Sequence, residues 1–355
     1  MPQEISAHVV ELTQIGREHT GAKSERPPRP QCALSVVTPC YNEEEGLHEL
    51  HRRISAAAKA AVGESYEIIL VNDGSTDNTL TGMRTLAAAD PHIVCIDLSR
   101  NHGHQLALTA GLSLCRGERI LIIDADLQDP PELLPELMQR MDEGADVVYG
   151  QRLERQGETI FKKLSALIFY RLLYKLSEVR IPVDTGDFRL MNRQVLDVLN
   201  RMPERHRFVR GMVAWAGFRQ AAVPYVREPR FAGETKYPLR KMLAFAADAL
   251  TGFSIRPLHL SFYLALGAMG IAVLLAAYTL VQWSLGETIV GWTSLMLVVV
   301  LFGSVQLLCL GIMGEYLGRT YVETKRRPLF MIREVITHAS LGQEEYRDSD
   351  SLGGD

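Results

Sequence analysis

Glu67-Ile68-Ile69-Leu70-Val71-Asn72-Asp73-Gly74-Ser75 runs four aliphatic residues straight into a polar turn. The aliphatic part has the length and β-branched content of a buried strand, and a helical pattern opens at Asp77. The same unit recurs on both sides. Residues 34–38 form an apolar run followed by a helical pattern from about 46 to 61. Residues 93–98 precede a helix from about 103 to 115, residues 120–123 precede one starting at Pro131, and residues 146–149 close the series. Short β-rich runs alternating with helices predict an α/β fold with a doubly wound, mostly parallel sheet. Ligands of such sheets lie beyond the carboxyl ends of the strands. The polar clusters fall there: Pro39-Cys40-Tyr41-Asn42-Glu43, Asn72-Asp73-Gly74-Ser75 and Asp124-Ala125-Asp126. No G-x-G-x-x-G follows the first strand and no G-x-x-x-x-G-K-[ST] occurs, which argues against a dinucleotide enzyme or a P-loop NTPase.

Asp124-Ala125-Asp126-Leu127-Gln128 puts two carboxylates at i and i+2 after a strand. If the backbone turns there, they can share a hard divalent cation, which commonly takes one or two carboxylates plus substrate phosphates. The other reading is a turn entering the helix that Asp129-Pro130-Pro131 begins, with Asp129 as its cap. Asp73, at a strand end, can accept hydrogen bonds from a base or ribose, whereas Asp77 reads as a helix cap. His102 and His104 have no further His or Cys at ligand spacing and read as part of a polar loop lining the pocket. The basic stretch from Arg227 to Lys236 serves either to attract anionic lipid or to clamp phosphates.

The second half of the chain is different. Residues 260–283 and 291–314 carry no charged side chain. At ~1.5 Å per residue each is long enough for a hydrocarbon core of ~30 Å. The connector 284–290 has no Lys or Arg, while Lys236, Arg240, Lys241 and Arg256 precede the first span and Arg319, Lys325, Arg326, Arg327 and Arg333 follow the second. The positive-inside bias puts both flanks in the cytoplasm. The expected organisation is therefore a flexible segment at 1–31, a cytoplasmic catalytic domain at 32–235, and interfacial juxtamembrane helices at 236–257. A two-span hairpin at 258–317 and a cytoplasmic segment at 318–355 with a disordered tail complete it. Gly314 and Gly318 have the G-x-x-x-G spacing of packed helices, which admits a homo-oligomer. Five cysteines without a C-x-x-C pair fit reduced thiols, residues 1–31 lack a signal-peptide pattern, and a net charge of -4 gives no reason to expect nucleic acid.

In order, the stretches VVTPCYNEEEGL, ILVNDGSTDNT, RNHGHQLALTAGL, DADLQDPPE, DTGDFRLMNR and REPRFAGETKYP resemble the family-2 glycosyltransferases, specifically the polyprenyl-phosphate branch. That branch includes dolichol-phosphate mannose synthases and bactoprenol glucosyltransferases, and the two-span hairpin looks closest to the latter. The resemblance covers residues 34–330 and implies a GT-A, Rossmann-like fold and an inverting transfer from a nucleotide-sugar to polyprenyl phosphate at the inner membrane. The donor implied is UDP-linked, such as UDP-glucose. By the same resemblance Pro39, Tyr41, Glu43 and Asp73 line the nucleotide site. Asp124, Asp126 and Gln128 hold Mg²⁺ or Mn²⁺, Asp124 also facing the donor. Arg152 and Ser165 take the acceptor phosphate, and Arg230 and Lys236 close on the diphosphate. Asp187 falls at an acceptor-side carboxylate position. Because a phosphomonoester is mostly dianionic at neutral pH, Asp187 is expected to position rather than to abstract a proton. A processive polysaccharide synthase would need more spans and a Q-x-x-R-W motif. An inactive membrane scaffold would have damaged metal and diphosphate motifs, whereas Asp124, Asp126, Arg230 and Lys236 are all present.

Overall fold

The computed structural model describes residues 31–153, 185–227, 256–285 and 291–340. The chain opens with β1 (Cys32–Cys40), α1 (Leu47–Val62), β2 (Tyr66–Asn72), α2 (Thr79–Ala89), β3 (Ile93–Leu98), α3 (His104–Leu114) and β4 (Gly117–Ile122). A 3-10 turn (Pro131–Leu133) leads into α4 (Leu134–Asp142), then β5 (Val147–Arg152), β6 (Thr185–Asn192), α5 (Arg193–Arg201), α6 (Val209–Ala216) and β7 (Gln220–Tyr225). Two long helices, α7 (Arg256–Ser284) and α8 (Trp292–Thr324), precede a last strand, β8 (Ile332–Thr337). The sheet order is β7-β5-β6-β4-β1-β2-β3-β8. Strands β1 to β4 run parallel, β6 enters antiparallel between β4 and β5, and β8 closes the far edge antiparallel to β3.

Each expected strand and helix up to β5 forms, with ends shifted by a few residues. All of β2 is buried, as a strand covered on both faces must be. Its one charged residue, Glu67, accepts from Ser35 Oγ at 2.6 Å and from the Arg116 backbone N–H at 2.7 Å. In α1 the buried residues Leu47, Leu50, Ile54, Ala57 and Ala58 recur at helical spacing and press one apolar stripe on the sheet. Strand order reverses between β1 and β4, which have β2 and β6 as their other neighbours. A crevice opens at such a switch point beyond the carboxyl ends of the strands.

Two boundaries differ from expectation. The second apolar helix does not stop at 317 but continues to Thr324, where Arg319 Nε donates to Glu315 Oε1 at 2.9 Å across one helical turn. Residues 332–337, assigned above to a separate C-terminal segment, form β8 at the edge of the eight-stranded sheet. In the sequence Arg333 reads only as one of the cationic residues flanking the second span. Arg333 Nη1 donates to buried Asp97 at 3.0 Å, and Glu334 pairs with Arg84.

The described strands with α1–α6 form one compact unit, and α7 with α8 a second. Within the second, Ser261–Gln282 and Leu297–Thr324 are long and apolar enough to cross a membrane, and neither is buried as a core helix would be. The lead-in 1–30, the juxtamembrane stretch 236–255 and the tail 341–355 lie outside the described residues.

Candidate active site

Three strand-end loops meet at the switch point. Asn42 adopts a left-handed φ of 55°, a conformation asparagine tolerates better than most residues. This aims its side chain at the β2 loop, where Oδ1 accepts the Thr76 N–H at 2.8 Å. In return the Asn42 N–H donates to Ser75 Oγ at 3.1 Å and the Glu43 N–H to Thr79 Oγ1 at 2.9 Å. Tyr41 stands exposed beside them. Pro39 is buried in β1, paired with Val71. Asp77 receives the Thr79 N–H at 3.0 Å from one residue ahead of the cap position, which Asn78 occupies without a side-chain cap bond, so it steadies the helix start without being the cap expected above.

Asp73 carries a task that the sequence does not reveal. Its carboxylate takes the His102 N–H at 2.6 Å and the Gly103 N–H at 2.9 Å, just ahead of α3. Burial raises its pKa against these bonds. Asp73 thus ties the loops after β2 and β3 together, one lone-pair direction on each oxygen remaining for a ligand.

The carboxylate pair follows β4. The chain turns at Ala125 and Asp126, as the i, i+2 pair requires, and Leu127 follows at φ 57°. Asp126 Oδ1 accepts the Gln128 N–H at 3.2 Å. Asp124 Oδ1 is buried with no hydrogen-bond donor, an orphan of the kind a cation satisfies. Burial pushes the Asp124 carboxyl up to about 7, the charge of His104 opposing it. Among the described residues no group of three or more His, Cys, Asp or Glu side chains is arranged to hold a metal ion by itself. The set therefore suits a hard cation whose remaining ligands come from phosphate and water.

His104, first residue of α3, bridges to Asp187. Its Nε2 lies 3.2 Å from Asp187 Oδ2 and 3.5 Å from Asp124 Oδ1. Burial would lower its pKa, but the Asp187 hydrogen bond and the Asp124 charge raise it to about 9. Gln105 donates to Asp187 at 2.7 Å while accepting the Val209 N–H at 2.9 Å. Although burial favours protonation, the His104 bond and the charges of Arg189 and Arg210 hold the Asp187 carboxyl well below the carboxylate range. A carboxylate so held is a poor proton acceptor and a good anchor.

On the other flank Arg152 ends β5, and its Nε donates to Tyr225 Oη at 3.2 Å. Tyr225 in turn donates to Asp129 Oδ1. Arg227 reaches Asp129 at 3.8 Å and Asp126 at 3.6 Å. Asp129 is therefore not the helix cap expected above: Pro130 occupies that position without a side-chain cap bond. Prolines at 130 and 131 remove two of the nearby N–H donors, a signal visible in the sequence. Sequence reasoning does not single out Tyr225, and it reads Arg227 and Gln105 only as members of a basic stretch and a polar loop, because their partners are remote in the chain. Ser165, Arg230 and Lys236 lie outside the described residues.

The family described as Glycosyl transferase family 2 matches residues 35–199. The uncharacterized glycosyltransferase YkcC of Bacillus subtilis (strain 168) is 46% identical over 315 residues, 88% of this chain and 97% of its own. A prophage bactoprenol glucosyl transferase homolog of Escherichia coli (strain K12) is 37% identical over 303 residues, 85% and 99% of the two chains. The bactoprenol glucosyl transferase of Shigella phage SfV is 36% identical over 301 residues, 84% and 98%.

Proposed function

The chain belongs to glycosyl transferase family 2, and from that premise we propose that it moves one sugar from a nucleotide-sugar to polyprenyl phosphate. The donor is UDP-glucose and the acceptor undecaprenyl phosphate, in keeping with the bactoprenol relatives that match it over nearly their whole length. The observation that carries the reading is one site with two charge-matched halves. The orphaned Asp124 oxygen and Asp126 suit a cation for the diphosphate, and Arg152 beside them suits a phosphate.

Mg²⁺ or Mn²⁺ on Asp124 and Asp126, with Gln128 beside them, would supply positive charge against the leaving diphosphate. The loops of Tyr41, Glu43 and Asp73, with Pro39, hold the nucleoside end. Arg152 orients the lipid phosphate, with Ser165 assigned to the same acceptor site. The phosphate is already an oxyanion and attacks the sugar's anomeric carbon as the diphosphate departs, inverting that centre. Asp187, kept ionised by its donors, anchors His104 and Gln105 along the sugar rather than taking a proton. Arg230 and Lys236 close over the diphosphate, adding cationic charge where negative charge grows.

Purified full-length protein is expected to label undecaprenyl phosphate from UDP-glucose within a panel of UDP- and GDP-sugars. EDTA should abolish the labelling and Mg²⁺ or Mn²⁺ restore it. Undiminished transfer in EDTA would remove the cation, and growth of a polymer would favour the processive synthase.

We further propose that α7 and α8 span the cytoplasmic membrane with the catalytic unit inside, where nucleotide-sugars are made. The support is the run of cations on both flanks and their absence from residues 284–290. A cysteine replacing Glu287 should react with an impermeant thiol reagent added outside intact cells, and one replacing Ser349 should not. The opposite pattern would reverse the orientation.

A further inference from the structure

We infer that Tyr225 and Asp129 form a brace that aims the Arg152 guanidinium, and are positioning residues for the acceptor; this rests on the reading of Arg152 as the acceptor-phosphate ligand. An arginine at a strand end has four rotatable side-chain bonds, so a bare Arg152 would sweep a wide volume. Here it is fixed from three sides.

Arg152 and Tyr225 stand opposite each other in the parallel pairing of β5 with β7. Arg152 Nε donates to Tyr225 Oη at 3.2 Å, and that hydroxyl donates to Asp129. The Arg152 Nη2 sits 3.7 Å from Asp129 Oδ1, an ion pair rather than a hydrogen bond. On the third side Nη2 lies over the Gly186 backbone, where a Cβ would come within 2.5 Å. Tyr225 is itself wedged. Its ring meets Phe188 edge-on at 5.8 Å and crosses Gly150, whose Cβ would lie 2.8 Å from the ring.

Asp129 is wholly buried, and its Oδ2 has no hydrogen-bond partner. A carboxylate in that state is costly as a purely structural device. As a counter-charge it balances Arg152 and Arg227 while leaving their N–H groups available. Among the described residues Arg152 uses only Nε–H in a hydrogen bond. The remaining N–H groups form the planar fork that a phosphate accepts. The brace thus supplies direction and charge balance to a residue that would otherwise have to be ordered by the substrate.

The test uses the full chain in detergent. Tyr225→Phe keeps the ring and removes the hydroxyl. It should raise the KM for undecaprenyl phosphate roughly 5–15-fold, the loss of about one buried hydrogen bond, with UDP binding by calorimetry within about twofold. Gly186→Ala, which displaces the guanidinium by a different route, should give the same split and covers the case that Tyr225→Phe folds poorly. In an Arg152→Ala background, Tyr225→Phe should have no further effect on acceptor KM. If Arg152→Ala leaves acceptor KM unchanged, the assignment of Arg152 itself fails. If Arg152→Ala raises it but Tyr225→Phe and Gly186→Ala do not, or if they lower kcat and UDP affinity equally, the brace is overturned.

Discussion

Asp124→Asn is expected to lower sugar transfer by roughly 10²–10³-fold, the scale of losing one preorganised electrostatic contact in a dry site, without lowering the melting temperature. The two expectations have one cause. The Asp124 carboxyl is buried and its Oδ1 has no hydrogen-bond donor, and burial outweighs the His104 charge 3.5 Å away, so the ionised form is disfavoured. Its folded pKa lies above the ordinary 3.8, near 7, first because of burial. The folded chain therefore holds that proton more tightly than the unfolded chain, and stability falls as pH rises between those values. Asparagine keeps the shape and removes the charge, so the metal-free variant at pH 8 should melt at or above the parent. Turnover titrated against Mn²⁺, with calorimetric melting of the same samples, checks both. Activity within tenfold of the parent at equal Mn²⁺ would separate Asp124 from the cation.

Gly74→Ala is expected to destabilise the protein by about 2–4 kcal/mol and to abolish UDP binding. Gly74 has φ +66°, and a Cβ there would lie 2.5 Å from the Asn101 nitrogen and 2.7 Å from the Arg100 carbonyl carbon. Both are backbone atoms and cannot swing aside. The loops would have to separate, breaking the Asp73 bonds to His102 and Gly103 and shifting Ser75 and Thr76 from Asn42. Gly217 is the control. It also has positive φ, +75°, but a Cβ there meets nothing nearer than 3.9 Å, so Gly217→Ala should cost only about 1–2 kcal/mol and keep UDP binding. Thermal melts with and without UDP compare them. Equal effects would mean that backbone conformation, not the close approach of the two loops, governs Gly74.

Much of this site is readable in one dimension because strand and ligand loop are adjacent in the chain. Ile68 to Val71 give the strand, and Asn72 to Ser75 the loop that any parallel sheet presents at that end. The strands that escape are those whose polar residues find remote partners. Asp187 and Arg189 interrupt the apolar pattern of β6, where buried Arg189 lies beside the partly buried Asp187. Pro224 argues against a strand, yet β7 lies at the sheet edge, where a missing N–H is harmless. Arg333 in β8 pairs with Asp97, 236 positions away. The Tyr225–Asp129 contact spans 96 positions. Local spacing carries no trace of such pairings. The same limit explains Asp129, whose position before two prolines suggested a cap while its true partners lay on β5, on β7 and beyond it.

Transfer of the sugar itself, with the diphosphate as leaving group, fixes both products. The most direct measurement is the mass of the lipid product beside the identity of the released nucleotide, using UDP-glucose and undecaprenyl phosphate with Mn²⁺. The expected result is undecaprenyl phosphate carrying one hexose, inverted at the anomeric carbon by NMR, with one UDP released per lipid. Release of UMP with a diphosphate-linked lipid, or UDP release with the sugar recovered only in water, would contradict it.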